Sequence, residues 1–310
     1  MNKKIFQIQH GIIYDDEGVR MDILVYQVAA FTQDTQGGNP AGVVLNPPFL
    51  SEDQMMRISR DLRVSETAYI SPEPLEDFKI RYFSPTVEVD LCGHATIASF
   101  FLMGSFLYLP STTQIRFQMR TKAGVLPVSL LFSEGMIQRV MMQQQHLQLR
   151  NVSVSRKKLA ETVGVPESMI ESDYSSHAVS TGLFTLPICV KGFDTLANIQ
   201  PNAAVISDLC RKINVGSLHV FTFETNMEDS LYHARNFAPL YGVLEDPVTG
   251  TANGAVSSFL FHKNVIQKKQ CVCEQGDIIG RPGRVFVDLS DENVWVGGSA
   301  VLIQKTAMSV

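Results

Sequence analysis

The amino-acid sequence predicts an α+β fold made of two similar, pseudo-symmetric domains. The chain has 310 residues, of which 45% are hydrophobic and 18% are charged. That length accommodates two ordinary domains, and that composition is typical of packed globular proteins. Short β-rich runs alternate with a few helical patterns in both halves, and one strand–turn–helix pattern of the first half recurs in the second.

The first domain is assigned to residues 21–150, and residues 1–20 are interpreted as an N-terminal extension. A β-rich run over 22–28 leads through turn-forming residues to a second run over 41–45, which predicts a hairpin. Ser51 and Gln54 have the spacing of a capping box, which predicts that a helix begins there. Further strands are predicted at 66–70, 78–83, 115–119, 125–132 and 136–142, and a buried apolar helix is predicted from residue 94 or 95 to about 107.

The second domain is assigned to residues 151–310, because the polar stretch 151–155 marks a crossing between the halves. Its last strand is a candidate to return to the first domain. A helix is predicted from 155 or 156 to 163, and an apolar helix from 253 or 254 to about 261. Strands are predicted at 178–181, 186–190, 218–225, 232–237, 270–274, 284–288 and 294–303.

The internal repeat is the most informative feature of the sequence. Arg81-Tyr82-Phe83-Ser84-Pro85 matches Arg235-Asn236-Phe237-Ala238-Pro239, and each match is followed by a glycine, Gly93 or Gly250, at the start of an apolar helix. Repeats of this size indicate two units of like fold. Helix N-termini present unpaired N–H groups at the positive end of the helix dipole. Two such termini across a domain cleft would bind a carboxylate or an enolate.

Net charge and hydropathy exclude several classes of partner. The formal net charge is −5 and the pI is about 5.8, which gives no electrostatic basis for binding nucleic acid. The most apolar stretch, residues 97–109, is shorter than the roughly 20 residues of a membrane span. No apolar signal segment follows the N-terminal lysines, so we expect a cytoplasmic protein with no membrane contact. A small anionic metabolite would need a local site.

Cysteine and histidine spacing predicts neither a metal nor a cofactor. The five cysteines, an odd number, form no CxxC pair, and the seven histidines form no HExxH motif. No GxGxxG motif or P-loop is present. We therefore interpret the cysteines as reduced structural thiols.

Three polar residues have both a structural and a functional interpretation. Glu66 is flanked by β-formers and could be a solvent-facing strand residue; His94 at a helix start could be a capping or core residue; Asp246 before a proline could be a turn carboxylate. Taken alone, none of them identifies a site.

Together with their neighbours these residues resemble the phenazine-biosynthesis isomerase (PhzF-like) family. The resemblance lies in Asn39-Pro40-Ala41-Gly42-Val43-Val44, Ser65-Glu66-Thr67-Ala68, Asp90-Leu91-Cys92-Gly93-His94-Ala95-Thr96, Glu245-Asp246-Pro247-Val248-Thr249-Gly250-Thr251-Ala252, Gln275-Gly276 and Gly280-Arg281-Pro282-Gly283. It covers roughly residues 21–303. The family implies the diaminopimelate-epimerase-like fold, in which each of two domains is a curled, barrel-like mixed sheet around a central helix.

The resemblance also implies a function. Glu66 would be the acid/base of a cofactor-independent isomerase that moves a proton on a small carboxylated metabolite in an interdomain cleft. His94, Asp246 and Thr251 would line the pocket, and Gly93 and Gly250 would supply backbone amides. The family further implies a homodimer. Two departures stand out: the family usually has serine at the position of Thr251, and residues 1–20 lie outside its pattern.

Two alternatives stay open at this point. Related racemases and epimerases use two opposed cysteines, one at each helix start, and Cys92 resembles the first of them. The second would fall at Thr249, whose hydroxyl cannot act as a thiolate base at neutral pH, so this alternative is disfavoured. The other alternative is a non-catalytic binding protein of the same fold. The set of Glu66, His94 and Asp246 argues against it, because a protein that only binds a ligand needs no acid/base carboxylate.

Overall fold

The computed structural model describes residues 11–15, 18–107 and 109–309. In these ranges the α-helices are α1 (Glu52–Leu62), α2 (Gly93–Ser105), α3 (Arg156–Val163), α4 (Phe193–Ala197), α5 (Ala203–Ile213) and α6 (Gly250–His262). The strands are β1 (Gly11–Asp15), β2 (Gly18–Ala30), β3 (Asn39–Leu45), β4 (Thr67–Pro72), β5 (Phe78–Phe83), β6 (Glu88–Val89), β7 (Gln114–Thr121), β8 (Gly124–Ser133), β9 (Met136–Gln143), β10 (Gln148–Asn151), β11 (Ile170–Glu171), β12 (His177–Ser180), β13 (Thr185–Val190), β14 (Ser217–Thr222), β15 (Tyr232–Ala238), β16 (Val243–Asp246), β17 (Gln270–Gln275), β18 (Gly283–Asp288), β19 (Trp295–Gly298) and β20 (Ala300–Ser309).

The chain divides into two compact units. The first contains the described residues up to Thr35, then Asn39–Met142, and the chain from Gly298 onward; the second contains Gln36–Gly38 and Gln143–Gly297. The boundary therefore lies at Gln143 and not at residue 151, because β10 pairs with β12 of the second unit. The predicted strand 294–303 is two strands, β19 and β20, and β20 belongs to the first unit because it pairs with β2.

The segment interpreted as an extension contributes to the first unit in part. Gly11–Asp15 pairs antiparallel with the chain from Gly18 to Asp22, so residues 11–15 form a strand and β2 begins at Gly18, earlier than residue 22. Residues 1–10 of the predicted extension lie outside the described residues.

The first unit is a mixed sheet with α2 packed against it. β2 and β3 form the predicted antiparallel hairpin, β3 runs parallel to β4, and β4 pairs antiparallel with β5. β5 then runs parallel to β7, which forms an antiparallel meander with β8 and β9. α2 contacts β2, β3 and β20 and is buried on almost every side, as its all-round apolar sequence predicts.

The second unit repeats this strand arrangement. β13 runs parallel to β14, which is antiparallel to β15; β15 runs parallel to β17, which is antiparallel to β18. The same sequence of pairings links β3, β4, β5, β7 and β8. α6 packs against β12, β13 and β18. The predicted α+β fold with two similar units is confirmed.

The repeated arginine motif has a structural cause in each unit. Arg81 donates two hydrogen bonds to Glu88, at 2.7 and 3.0 Å, and Arg235 donates two to Glu245, at 2.8 and 2.7 Å. Each guanidinium also lies over the ring of the phenylalanine two residues later, 4.9 and 5.0 Å from its centroid. The R-x-F spacing thus anchors the end of a strand to the next segment through a bidentate ion pair and a cation–π contact.

Helix termini test the capping predictions. Ser51 Oγ accepts a hydrogen bond from Gln54 N at 3.2 Å and Ser51 N donates to Gln54 Oε1 at 2.9 Å, which confirms the capping box of α1. The two apolar helices begin at Gly93 and Gly250, one and three residues earlier than the earliest start that periodicity indicates. Their first turns contain small or polar residues, so apolar periodicity starts only after them.

Two helices of the second unit were not predicted, α4 and α5. α5 follows Asn202, whose side-chain oxygen accepts hydrogen bonds from the N–H groups of Ala204 and Val205. Its buried residues Ile206 and Leu209 have helical spacing. An N-cap asparagine before such spacing was the signal for this helix.

No helix in the described part of the chain is both long and apolar enough to span a membrane.

Candidate functional site

The two apolar helices begin alike. Cys92 is the N-cap residue of α2 and Thr249 that of α6, both with extended backbone (φ −136° and −115°), and neither side chain forms a capping hydrogen bond. Thr249 uses its hydroxyl elsewhere, and a thiol is a weak acceptor. The positive end of each helix dipole, at Gly93 and at Gly250, therefore has no side-chain cap.

Glu66 is fixed by the strand that it precedes. Its carbonyl accepts a hydrogen bond from Gly42 N of β3 at 3.0 Å, immediately before β4 begins at Thr67. A Cβ on Gly42 would collide with the Thr67 side chain, so glycine permits the close approach of the two strands at this point. The backbone of Glu66 is thus held while its side chain stays partly exposed.

The structure brings Glu66 and His94 together in the first unit. Glu66 Oε2 lies 3.4 Å from His94 Nε2, and the side chains are 22% and 11% exposed. Ser65 Oγ lies 3.3 Å from the same nitrogen, and Cys92 Sγ lies 3.4 Å from His94 Nδ1. Ser65 and Cys92 were not predicted as partners of the imidazole, although both stand inside the sequence blocks that carry the family resemblance.

This cluster offers both proton-transfer groups and metal-ligand atoms. A half-buried carboxylate beside an imidazole can accept and return a proton. One ligand atom from each of Glu66, Cys92 and His94 lies within 4.8 Å of the others. Spacing along the sequence predicted no metal ligands, because Glu66 approaches the other two only through the packing of β4 beside α2. The expectation that the protein needs no metal stays a prediction.

Asp246 lies in a separate hydrogen-bond network in the second unit. Thr249 Oγ1 donates to Asp246 Oδ2 at 2.5 Å, and Gln275 Nε2 donates to the Asp246 carbonyl at 2.8 Å. Gln275 Oε1 accepts from Thr249 N at 3.1 Å and from Asn253 Nδ2 at 2.8 Å. Gln275 and Asn253 are buried and hold the end of β16 against the start of α6. Sequence reasoning missed the role of both, although Gln275 belongs to one of the resembling blocks.

Thr251, which stands where the resembling family usually has serine, lies in the first turn of α6. Its carbonyl accepts a hydrogen bond from Thr181 Oγ1 at 3.3 Å. Its methyl group lies next to Gly182: a Cβ at that glycine would be 3.4 Å from Thr251 Cγ2. The extra methyl therefore occupies space beside the loop between β12 and β13.

The predicted site residues thus form two sets. Glu66, Gly93 and His94 belong to the first unit, and Asp246, Gly250 and Thr251 belong to the second.

Comparisons with known proteins agree with this architecture. The family described as "Phenazine biosynthesis-like protein" matches residues 28–306. The "Uncharacterized isomerase YfhB" of Bacillus subtilis is 33% identical over 290 residues, which are 93% of this chain and 96% of that protein. The crystal structure of a Bacillus anthracis phenazine biosynthesis protein of the PhzF family has a TM-score of 0.83 at 29% identity and covers 93% of this chain and 99% of its own.

A more distant structure shares the fold alone. A hydroxyproline epimerase from Agrobacterium vitis has a TM-score of 0.58 at 11% identity, and the match covers 93% of this chain and 91% of that one. The fold class predicted from the sequence, that of the epimerases, is confirmed.

Proposed function

Because the chain belongs to the phenazine biosynthesis-like protein family, we propose that it is an isomerase that moves a proton on a small carboxylated metabolite, without a cofactor, and uses Glu66 as its acid/base. The isomerase class follows the relatives, which include the Bacillus subtilis isomerase. The observation that carries the residue assignment is the 3.4 Å approach of Glu66 Oε2 to His94 Nε2 at the start of α2.

The proposed chemistry uses one carboxylate twice. Glu66 removes a proton from a carbon next to a carboxyl or conjugated group, and the C–H electron pair enters the conjugated system. The resulting negative charge is stabilised by N–H groups at the α2 N-terminus, beginning with Gly93. Glu66 then returns the proton to another carbon. A group that only transfers protons locally has no requirement for a metal or an organic cofactor.

His94 is assigned the role of holding the carboxylate in place. It lies between Glu66, Ser65 and Cys92, which restrains its ring on both nitrogen atoms. In the second unit, Gly250, Thr251 and Asp246 are assigned to substrate binding. Their support is the network at the start of α6, which directs the Asp246 carboxylate through Thr249.

A two-base racemase is the second candidate. Cys92 at the start of α2 favours it, because a helix N-terminus and a nearby imidazole both promote the thiolate. The matching position of α6 is Thr249, whose hydroxyl donates to Asp246. That arrangement provides no second thiolate. A non-catalytic binding protein is the remaining alternative, and it predicts no exchange of substrate protons with solvent.

Deuterium exchange tests the proposal. A panel of amino acids and unsaturated carboxylic acids is screened by thermal shift, since a ligand that binds the folded state raises the melting temperature. Each stabilising compound is then incubated with the protein in D₂O and analysed by NMR and mass spectrometry. We expect deuterium at a carbon position together with an isomerised product.

Two variants separate the candidates. Glu66→Gln should slow exchange by at least about 100-fold, the usual scale for a general acid/base. Glu73→Gln, the same substitution just beyond β4, is the matched control and should exchange normally. Full exchange by Glu66→Gln would refute the assignment, and loss of exchange in folded Cys92→Ala would favour the racemase.

A homodimer is proposed from the family resemblance alone, and analytical ultracentrifugation tests it.

A further inference from the structure

The threonine at the start of α6 has a hydroxyl that does not cap its helix. Thr249 is the N-cap residue, but its side chain forms no capping hydrogen bond. Its Oγ1 instead donates to Asp246 Oδ2 at 2.5 Å and accepts from Gln275 Nε2 at 3.1 Å. An N-cap hydroxyl ordinarily accepts from the N–H groups of its own helix. Here the hydroxyl is used for a carboxylate and not for the helix.

The side-chain amide of Gln275 has only one possible orientation. Its oxygen faces the N–H of Thr249 at 3.1 Å, and its nitrogen faces the carbonyl oxygen of Asp246 at 2.8 Å. Because a backbone N–H can only donate and a carbonyl can only accept, exchanging the amide oxygen and nitrogen would break both bonds. Asn253 Nδ2 donates to the same amide oxygen at 2.8 Å, and Gln275 is only 1% exposed.

This orientation fixes the direction in which the Thr249 proton points. A hydroxyl has one proton to donate, and the Gln275 nitrogen that faces it carries only donors. The Thr249 proton therefore points to the Asp246 carboxylate, which accepts it in a charge-assisted hydrogen bond. Asp246 and Thr249 are both partly exposed, whereas the amide that orients them is buried. A buried amide thus holds a carboxylate that a solute can reach.

We propose that Thr249 is a positioning residue whose hydroxyl, held by Gln275, keeps the Asp246 carboxylate ionised and in one orientation at the start of α6. Thr249 acts through Asp246 and takes no part in proton transfer. The hydrogen-bond arrangement stands on the contacts within the second unit alone. Its effect on substrate binding rests on the proposed function, in which Asp246 binds the substrate.

Carbon-13 NMR of the carboxyl group tests the arrangement without substrate. Protein labelled with carbon-13 at the aspartate side-chain carboxyl is titrated with acid, and the Asp246 signal is identified by its absence from Asp246→Asn. Thr249→Val keeps the shape of the side chain but removes the donor that favours the ionised carboxylate, so the Asp246 titration midpoint should rise by about one pH unit. Thr249→Ser keeps the hydroxyl and should have the midpoint of the parent protein.

Gln275→Met tests whether Gln275 directs the hydroxyl. Methionine has a similar length but no N–H donor, so the hydroxyl is no longer held towards Asp246 and the midpoint should rise in this variant also. When Gln275→Met is combined with Thr249→Val, the two shifts should be less than additive, because both act through one hydrogen bond. Gln270→Met, at the exposed start of the same strand, is the matched control and should leave the midpoint unchanged. Circular dichroism and the melting temperature show whether each variant is folded.

Kinetics test the effect on substrate binding. The substrate is the panel compound in which the parent protein exchanges deuterium. Thr249→Val should raise KM by about 10-fold and change kcat by less than about 3-fold, because Asp246 is assigned to binding and Glu66 to proton transfer. Thr249→Ser should have the constants of the parent protein. If no panel compound is exchanged, the proposed function fails, but the titration still decides how Thr249 and Asp246 are bonded.

Any one of three results overturns the proposal. The first is an Asp246 midpoint that is the same in the parent protein and in folded Thr249→Val, which would show that the hydroxyl does not bond to the carboxylate. The second is additivity of the shifts in Thr249→Val and Gln275→Met, which would show that Gln275 does not direct the hydroxyl. The third is a Thr249→Val variant that loses kcat and retains KM, which would place Thr249 in proton transfer itself. A midpoint that rises in Thr249→Val but not in Thr249→Ser, with KM raised and kcat retained, supports the proposal.

Discussion

Glu274 is a buried carboxylate whose ionisation should contribute stability to the second unit that is lost in acid, and Glu274→Gln should remove that contribution. It stands on β17 with a side chain only 3% exposed. His233 Nδ1 lies 3.0 Å from one of its oxygens, and the backbone N–H groups of Asn226 and Met227 donate to it at 2.8 and 2.7 Å. Burial raises the pKa of this carboxyl, but the hydrogen bonds outweigh burial and lower its pKa to about 2.

The size of the effect follows from that pKa. A fall from the ordinary value of 4.5 to about 2 corresponds to about 3 kcal/mol in favour of the ionised folded state. Because the pKa is lower in the folded protein than in the unfolded chain, this contribution is fully present above pH 4.5. It is lost as the pH falls through the window between 4.5 and about 2.

Urea unfolding, followed by tryptophan fluorescence, measures the contribution of Glu274 to the free energy of unfolding. The chain's one tryptophan, Trp295, belongs to the same unit as Glu274 and therefore reports on that unit. Glu274→Gln should lower the free energy of unfolding at pH 7 by about 3 kcal/mol, and its difference from the parent protein should shrink towards pH 2.5. The exposed neighbour Glu228 provides the control Glu228→Gln, which should change little. A difference that stays constant with pH would refute the electrostatic reasoning and point to packing.

Three further predictions concern Cys92, the two glycines that follow β17 and the metal question. Cys92→Ala should reduce turnover by less than about 10-fold, well below the general acid/base effect expected for Glu66→Gln, in a kinetic comparison of the two variants. Gly276→Ala should lower the free energy of unfolding by at least about 2 kcal/mol, because Gly276 has φ +98° and a Cβ there would strike the Arg281 carbonyl. Gly280→Ala, with φ +72° and open space around it, should cost only about 1 kcal/mol; equal costs in urea unfolding would contradict the steric argument. Exhaustive dialysis against a chelator should leave isomerase activity intact, and restoration of lost activity by added metal would contradict cofactor independence.

Local patterns along the chain were sufficient for most secondary-structure elements. The capping box at Ser51 involves residues three apart, and the strand over 78–83 is recognised by its own alternation. Both depend on interactions or periodicities within a few residues, which can be recognised from the sequence alone. The R-x-F repeat also predicted the two similar domains, because Arg81 and Arg235 form the same local ion pair in each.

Patterns that depend on small or polar residues were recognised less well. The first turns of α2 and α6 contain small or polar residues, so periodicity placed both starts late. The signal for α5, the N-cap Asn202 before Ile206 and Leu209, was present and was missed. The break at Ser299 was also missed, because the residues on both sides read as strand. The pairing of β20 with β2 separates it from β19, and this pairing joins the two ends of the chain.

The candidate site shows where sequence alone stops. Resemblance to the family singled out Glu66, His94 and Asp246 by type and position in motifs. The sequence did not predict that Ser65 lies beside His94 Nε2 and Cys92 beside His94 Nδ1. The Cys92 contact is local, but the Ser65 contact exists because β4 packs beside α2, which brings together residues that are far apart along the chain. Hydrophobic period and capping are properties of neighbouring residues, whereas a cluster of catalytic or metal-binding atoms is a property of how strands and helices pack, and only the tertiary structure decides it.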